Sequence, residues 1–296
     1  MKLLIIDGNN LAHRVFGVHR HLQYQGKPTG LLFGFFQSLI GLKKRYTDHH
    51  FVIAWDSTGS ERRDRESKEA YESGIIPSVY KASRIEARKD EPDEQLKSMI
   101  SQKVALHRYL PSVKVQTIKA YGYEADDISY TLALGNKPNQ TTIVTSDKDF
   151  YQVIDDDITI VNDMKGEVWD RAKFIDEFGF EPKLWVDAGA IMGDKSDEIH
   201  GAPDWGPKTT FKYVAEFGDM DSVITAVQAK PKRTNREESL LSHIERVRIA
   251  RSLKQMDIVP NLPELMYNGD FNVNAIKSIF AKFGFVKLMR EADWLV

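Results

Sequence analysis

An α/β domain followed by an all-helical one is predicted by three observations. Short apolar runs recur along the first two-thirds of the chain and end in an acidic residue: "LLIIDG" at Asp7, "HFVIAWDS" at Asp56, "TTIVTSDKD" at Asp147. Helical stretches separate them, notably Gly30–Tyr46 and Glu124–Leu134. From about Glu181 onward the pattern becomes helical throughout, with Gly or Pro between amphipathic segments.

Each apolar run is four to six residues rich in Leu, Ile, Val or Trp, which suits parallel strands covered on both faces. Strand and helix in alternation imply a parallel sheet with right-handed crossovers. Further strands are expected near Lys114–Ile118 and Ile158–Val161. Residues 57–98 interrupt the alternation: "STGSERRDRESKEAYESG" holds almost no core position, so the segment reads as either a solvated insertion or a binding element. The expected division is an α/β domain over 1–180, carrying this insertion, and a helical domain over 181–296. Within the latter, "KPKRTNRE" (Lys230–Glu237) reads as a basic turn.

The chain has 296 residues, 42% hydrophobic and 28% charged, which is ample for a buried core. The absence of cysteine excludes disulfides, thiol catalysis and thiolate zinc sites together. No stretch has signal-peptide or membrane-spanning character, so a cytoplasmic protein with no membrane partner is expected. The net charge of −2 argues against a simple nucleic-acid coat, but it allows an acidic site on a more basic surface.

Nine acidic residues stand where placement matters. Asp7, Asp56 and Asp147 emerge along one sheet edge, the carboxyl edge where α/β proteins build their sites. Asp149 follows two residues after Asp147, Glu124, Asp126 and Asp127 crowd a helix start, and Asp194 and Asp197 lie three apart. Each has an ordinary explanation as a turn or helix-dipole residue. Together they would repel one another and raise their own pKa values unless cations joined them. All-oxygen ligands and no paired histidine favour Mg²⁺ or Mn²⁺ over zinc, hence chemistry on phosphate esters.

"LLIIDGNNLAHR", "YGYEADDISY", "VTSDKDFYQV" and "AIMGDKSDEIHGAPDWGPKT" occur in an order that resembles the 5′-nuclease family: flap endonucleases, the 5′→3′ exonuclease domain of DNA polymerase I, and phage 5′-exonucleases with RNase H activity. The likeness runs from Asp7 to about Phe217. It implies a PIN-like sheet with helices on both faces, a helical arch in the insertion, and a helix–hairpin–helix in the second domain. It further implies that Asp7, Asp56, Glu124 and Asp126, with Asp127 beside them, form a first metal cluster. Asp147, Asp149, Asp194 and Asp197 would form a second. Two Mg²⁺ ions, replaceable by Mn²⁺, would then serve phosphodiester hydrolysis, with Asp126 and Asp147 central. By the same match "VYKASR" belongs to the arch: Lys81 and Arg84 would face the scissile phosphate, and Tyr80 could stack on an unpaired base. Arg62, Arg63 and Arg65 read equally well as phosphate contacts or as a solvated helix face.

The implied substrates are DNA and RNA–DNA hybrids with a 5′ end or flap, acted on by a monomer in replication. Implied partners are a sliding clamp and a single-strand-binding protein, in a bacterial cell or its phage. Alternatives are a PIN-type ribonuclease, which would lack the insertion and the helical domain, and a non-catalytic structure-specific DNA-binding protein. A haloacid-dehalogenase-type phosphatase fails because the position two after Asp7 is Asn9.

"GAPDWGPKTT" (Gly201–Thr210) almost spells a P-loop, but Pro207 separates Gly206 from Lys208 and no strand precedes it. The family reading makes it a hairpin whose amides and following helix N-terminus hold duplex phosphate through Gly201, Gly206, Lys208 and Thr209, with K⁺ at loop carbonyls. The family usually has Gly then Ile or Val before the last hairpin glycine, whereas this chain has Asp204 and Trp205.

Overall fold

The computed structural model describes residues 1–87, 93–269 and 271–296. Strand β1 (Leu3–Asp7) is buried along its whole length and pairs in parallel with both β4 (His50–Ala54) and β6 (Thr141–Val144). A two-residue-per-strand hairpin, β2 (Gln23–Tyr24) and β3 (Lys27–Pro28), stands apart from this sheet. Beyond β4 lies β5 (Gln116–Ile118); beyond β6 come β7 (Ile158–Asn162) and the antiparallel edge strand β8 (Glu167–Trp169). The order β5-β4-β1-β6-β7-β8 reverses direction around β1, so a crevice opens at the carboxyl ends of β1, β4 and β6. The sequence pattern misses β8: its Val168 is half-exposed, so the strand carries little apolar signal.

One face of the sheet is covered by α1 (Gly8–His19), α2 (Gly30–Arg45) and part of α5 (Glu94–Tyr109), around Leu4, Ile6, Phe35, Phe36 and Trp55. Between β4 and α5 the insertion folds into α3 (Glu61–Glu72), capped by Ser60, and the short α4 (Ala82–Ala87). The opposite face receives α6 (Ala125–Gly135), then α7 (Arg171–Phe178) and α8 (Trp185–Met192). Helices α9 (Pro207–Phe217), α10 (Met220–Gln228), α11 (Asn235–Ser242) and α12 (Ile244–Lys254) continue that same core through Val214, Val223, Leu240 and Val247. Sheet and helical region therefore share one apolar interior.

The final segment departs from the expected division. Helices α13 (Val273–Lys282) and α14 (Val286–Met289) return to the α2 face, where Ile276, Phe280, Leu288 and Leu295 are buried with Phe36 and Leu39. The helical domain expected over 181–296 thus loses its last stretch to the α/β layer. The amphipathic spacing of "VNAIKSIFAKF" identified a helix but could not say which surface its apolar stripe covers.

Candidate active site

A cleft of about 880 Å³ lies at the carboxyl edge of the sheet. Eight of the nine acids picked out above line it: Asp7, Asp56, Glu124, Asp126, Asp147, Asp149, Asp194 and Asp197.

Asp7 ends β1 and caps α1. One carboxylate oxygen accepts from the Asn10 amide at 3.0 Å, the other from Thr145 Oγ1 at 3.2 Å. Its neighbour Gly8 admits no side chain, since a Cβ there would sit 2.7 Å from the Trp55 ring. Asp56 follows β4 and accepts from the Ala125 amide at 2.9 Å, which joins it to the first turn of α6. Asp147 follows β6 and accepts from the Asp149 amide at 2.9 Å. Burial, opposed by the Asn10 hydrogen bond and assisted by Asp56, raises the Asp7 pKa to about 6. Burial and the Asp149 charge raise Asp147 to about 7.

The α6 start is crossed by cations. Burial pushes Glu124 upward, but the Lys81 ammonium at 2.7 Å and the Arg63 guanidinium at 2.9 Å outweigh it and hold the carboxyl below its ordinary value. Burial drives Asp126 well upward, with Arg63 opposing and Asp127 and Glu124 adding to the rise. Asp127 differs from the other acids. It is wholly buried and points away from the cleft, one oxygen accepting from Arg63 Nη2 (2.7 Å) and the Asp257 amide (2.8 Å), the other from Arg63 Nη1 (3.1 Å) and the Glu124 amide (3.1 Å). Placed beside the first metal cluster by resemblance, it is instead the anchor of Arg63.

The insertion arginines also change meaning. Arg63 is 1% exposed and ties α3 to Asp127, Glu124 and the Leu253 carbonyl. Arg62 grips Asp257, Glu66 and the Ser252 and Gln255 carbonyls. Neither is a solvated helix face or a phosphate contact; both dock the arch base onto the end of α12. Arg65 is exposed.

Lys81 lines the cleft as expected. Tyr80 does not: its ring is 5% exposed within the core, its hydroxyl donates to Glu124 at 3.2 Å, and the Lys81 ammonium lies 4.5 Å over it. Stacking on a base would need a free ring face, and the core and Lys81 cover this one. Arg84 falls within α4, and its side chain lies outside the described residues.

In the second cluster, Asp194 accepts from the Ser196 amide and hydroxyl at 2.8 and 2.6 Å, and Lys254 reaches both Asp149 and Asp194. No local sequence signal marks Lys254, which lies sixty residues from its nearer partner Asp194.

At the hairpin, Gly206 caps α9 and Pro207 takes its first turn, where a missing N–H costs nothing. Gly206 and Lys208 are exposed and Thr209 half-buried. Gly201 is buried instead: an added Cβ would lie 2.3 Å from the Gly193 amide nitrogen, so this glycine permits close backbone packing. Asp204 adopts φ 67°, the left-handed geometry that Asp tolerates better than most residues. Trp205 is the turn's apolar anchor, buried and donating Nε1 to the Arg236 carbonyl at 2.8 Å. Arg236, read from the sequence as part of a basic turn but found in the first turn of α11, donates to Thr209 Oγ1 at 2.9 Å and so adds a cation to the α9 N-terminus.

Do these residues fit divalent metal? Among the described residues no three acidic or imidazole side chains already converge as a closed ligand set. Mg²⁺ needs no such cage, because it keeps several waters and takes one or two carboxylates. Carboxyls pushed up first by burial and further by neighbouring acids, as Asp7 and Asp147 are, are groups a hard cation relieves, so the donor set fits.

The family profile described as "5'-3' exonuclease, N-terminal resolvase-like domain" matches residues 2–179, and "5'-3' exonuclease, C-terminal SAM fold" matches residues 180–270. The 5'-3' exonuclease of Aquifex aeolicus is 26% identical, over 98% of this chain and 95% of its own length. DNA polymerase I of Pseudomonas aeruginosa is 29% identical over 98% of this chain but 32% of its own length; the chain thus spans about a third of that relative. Among solved structures, T5 5'-exonuclease with bound zinc superposes with a TM-score of 0.71 at 18% identity, covering 100% of this chain and 99% of that one. The bacteriophage T5 D15 flap endonuclease, in a complex with DNA and metal ions, gives 0.69 at 19% identity and 99% of each chain. At such identities the superpositions establish the fold, a resolvase-like α/β layer with a helical SAM-like region. With the N-terminal profile spanning more than half its length, the chain belongs to the 5′-3′ exonuclease family.

Proposed function

We propose that the chain acts as a divalent-metal-dependent, structure-specific 5′-nuclease that hydrolyses phosphodiester bonds near the 5′ end of duplex or flap substrates, as in primer removal. The observation that carries this reading is the meeting of eight carboxylates in one cleft at the sheet's switch point. Asp7, Asp56, Glu124 and Asp126 would hold one ion, and Asp147, Asp149, Asp194 and Asp197 the other; Mg²⁺ or Mn²⁺ would supply Lewis-acid stabilisation and an activated water.

The chain's own residues do the rest. Lys81 places an ammonium beside Glu124, where a phosphate oxygen entering the cleft can take over its hydrogen bond. Its backbone φ of 53° is an uncommon conformation for a non-glycine residue, and it fixes the direction in which the side chain leaves the arch. The α9 N-terminus, with Lys208, Thr209 and Arg236, offers amides and cations to a duplex backbone without reading bases. The preference for Mg²⁺ and a K⁺ at the hairpin carbonyls belong to the same proposal, as do a clamp or single-strand-binding partner; duplex affinity compared in K⁺ and Na⁺ tests the hairpin ion.

The deciding experiment uses a 5′-labelled flap and an RNA–DNA hybrid with Mg²⁺ or Mn²⁺. Wild type should cut both near the 5′ end. Asp147→Asn should fold normally, since Asn Oδ1 can still accept from the Asp149 amide, yet show no measurable cleavage. Tight binding without cleavage under either metal would leave a non-catalytic DNA-binding protein.

A further inference from the structure

The cations at the two clusters are built differently. Lys81, at the first, lines the cleft from the arch, and its side chain is 20% exposed. Lys254, at the second, ends α12 and is 4% exposed; it is absent from the cleft lining and reaches the acids from behind. Its Nζ lies 2.8 Å from Asp149 Oδ1 and 3.1 Å from Asp194 Oδ2.

The approach is shaped for it. The stem crosses α8 at Gly189, where an added Cβ would stand 2.5 Å from Lys254 Cε. One turn earlier Arg251 pairs with buried Asp187 of α8 at 2.7 Å, which pins α12 against α8. The Lys254 carbonyl accepts from Gln152 Nε2 at 3.2 Å, tying the helix end to the segment that carries Asp149. A side chain confined in this way has no open route to withdraw when another cation arrives.

Resting on the two-ion reading of the site, we infer that Lys254 is a permanent cation of the second cluster. It holds one oxygen each of Asp149 and Asp194 and makes that cluster the weaker of the two divalent-ion positions. Two effects act together. Part of the anionic charge that would attract a divalent ion is already neutralised, and two donor oxygens are engaged in charge-assisted hydrogen bonds. Lys254 is thus a positioning residue: it keeps two like charges together when no metal is bound and sets the metal concentration at which the second ion enters.

Mn²⁺ binding to the full chain without DNA, read from the free-ion EPR signal, tests this independently of cleavage. Wild type should show two classes of site, and Lys254→Met should tighten the weaker class by about tenfold while leaving the stronger unchanged. In EDTA the variant should melt below wild type, and Mn²⁺ should raise its Tm by more than it raises that of wild type. A merely structural lysine would lower the Tm in EDTA without tightening either class. Lys254→Gln, which keeps hydrogen-bond donors without charge, should behave in the same direction should the Met variant fail to fold.

Two equal classes in wild type, or a weaker class unchanged or loosened in the variants, would overturn the inference; the wild-type isotherm decides even without a folded variant. No Mn²⁺ binding by wild type at any concentration would sink the two-ion reading itself, and this inference with it.

Discussion

At the scale of single residues, the charges in and around this cleft divide into those that face its opening and those that hold the protein together. Lys81→Ala removes a cation that faces the cleft, so single-turnover cleavage of a flap should slow by roughly a hundredfold with little change in flap affinity. Single-turnover rates near wild type would take Lys81 out of the chemistry. Arg63→Met leaves Asp127 buried without its partner, and urea unfolding should show a loss of about 3–5 kcal/mol. A loss under about 1 kcal/mol would mean that the pair is solvated after all. Asp7, Asp56 and Asp147 were legible in sequence because an apolar strand ending in Asp fixes its own side of the sheet. Arg63, Tyr80 and Lys254 were not, since their burial depends on partners tens to hundreds of residues away.

At the scale of elements, the hairpin shows how a departure from the family pattern is accommodated. Asp204 takes the left-handed position, and Trp205 turns inward against Tyr213, with ring centroids 4.9 Å apart. Behind it stands Glu237, which closes a capping box with Thr234 and accepts from Lys230 at 2.5 Å and Tyr213 at 2.6 Å. The Lys230 and Tyr213 hydrogen bonds hold its pKa down at about 2, against an ordinary 4.5. A depressed carboxyl stabilises fully above the unfolded value and ceases to do so as pH falls through the folded one. Glu237→Gln should therefore cost about 2 kcal/mol at pH 7, and its melting deficit relative to wild type should shrink from pH 4.5 downward. A deficit constant across that range would show that charge is not what Glu237 contributes. The helices of this region were readable from amphipathic spacing and Gly or Pro between them; the roles of the "KPKRTNRE" residues were not, because Arg236 acts through a helix that starts far earlier in the chain.

At the scale of the whole molecule, the parallel α/β sheet with Asp7, Asp56 and Asp147 at its carboxyl edge was legible, as was the change from α/β to helical; the order of the strands was not, because apolar runs do not say which of them pair. The return of residues 273–296 to the first layer was not, because an amphipathic stripe does not name its partner. The arch is likewise joined to the second layer at more than one place. The Lys81 amide donates to the Asp197 carbonyl at 3.0 Å, the Ser83 amide to Glu198 at 2.8 Å, and Ser78 hydrogen-bonds His200 at 2.7 Å. Anything that shifts Lys81 would pull on the loop bearing Asp194 and Asp197, so the arch and the second carboxylate cluster share one linkage. Hydrogen exchange should then slow or quicken together at residues 78–83 and 194–200 when a flap binds, and independent responses would cut that linkage. The Lys81–Asp197 backbone bond therefore makes the arch and the 194–200 loop one mechanical unit, in which a displacement at either end is felt at the other.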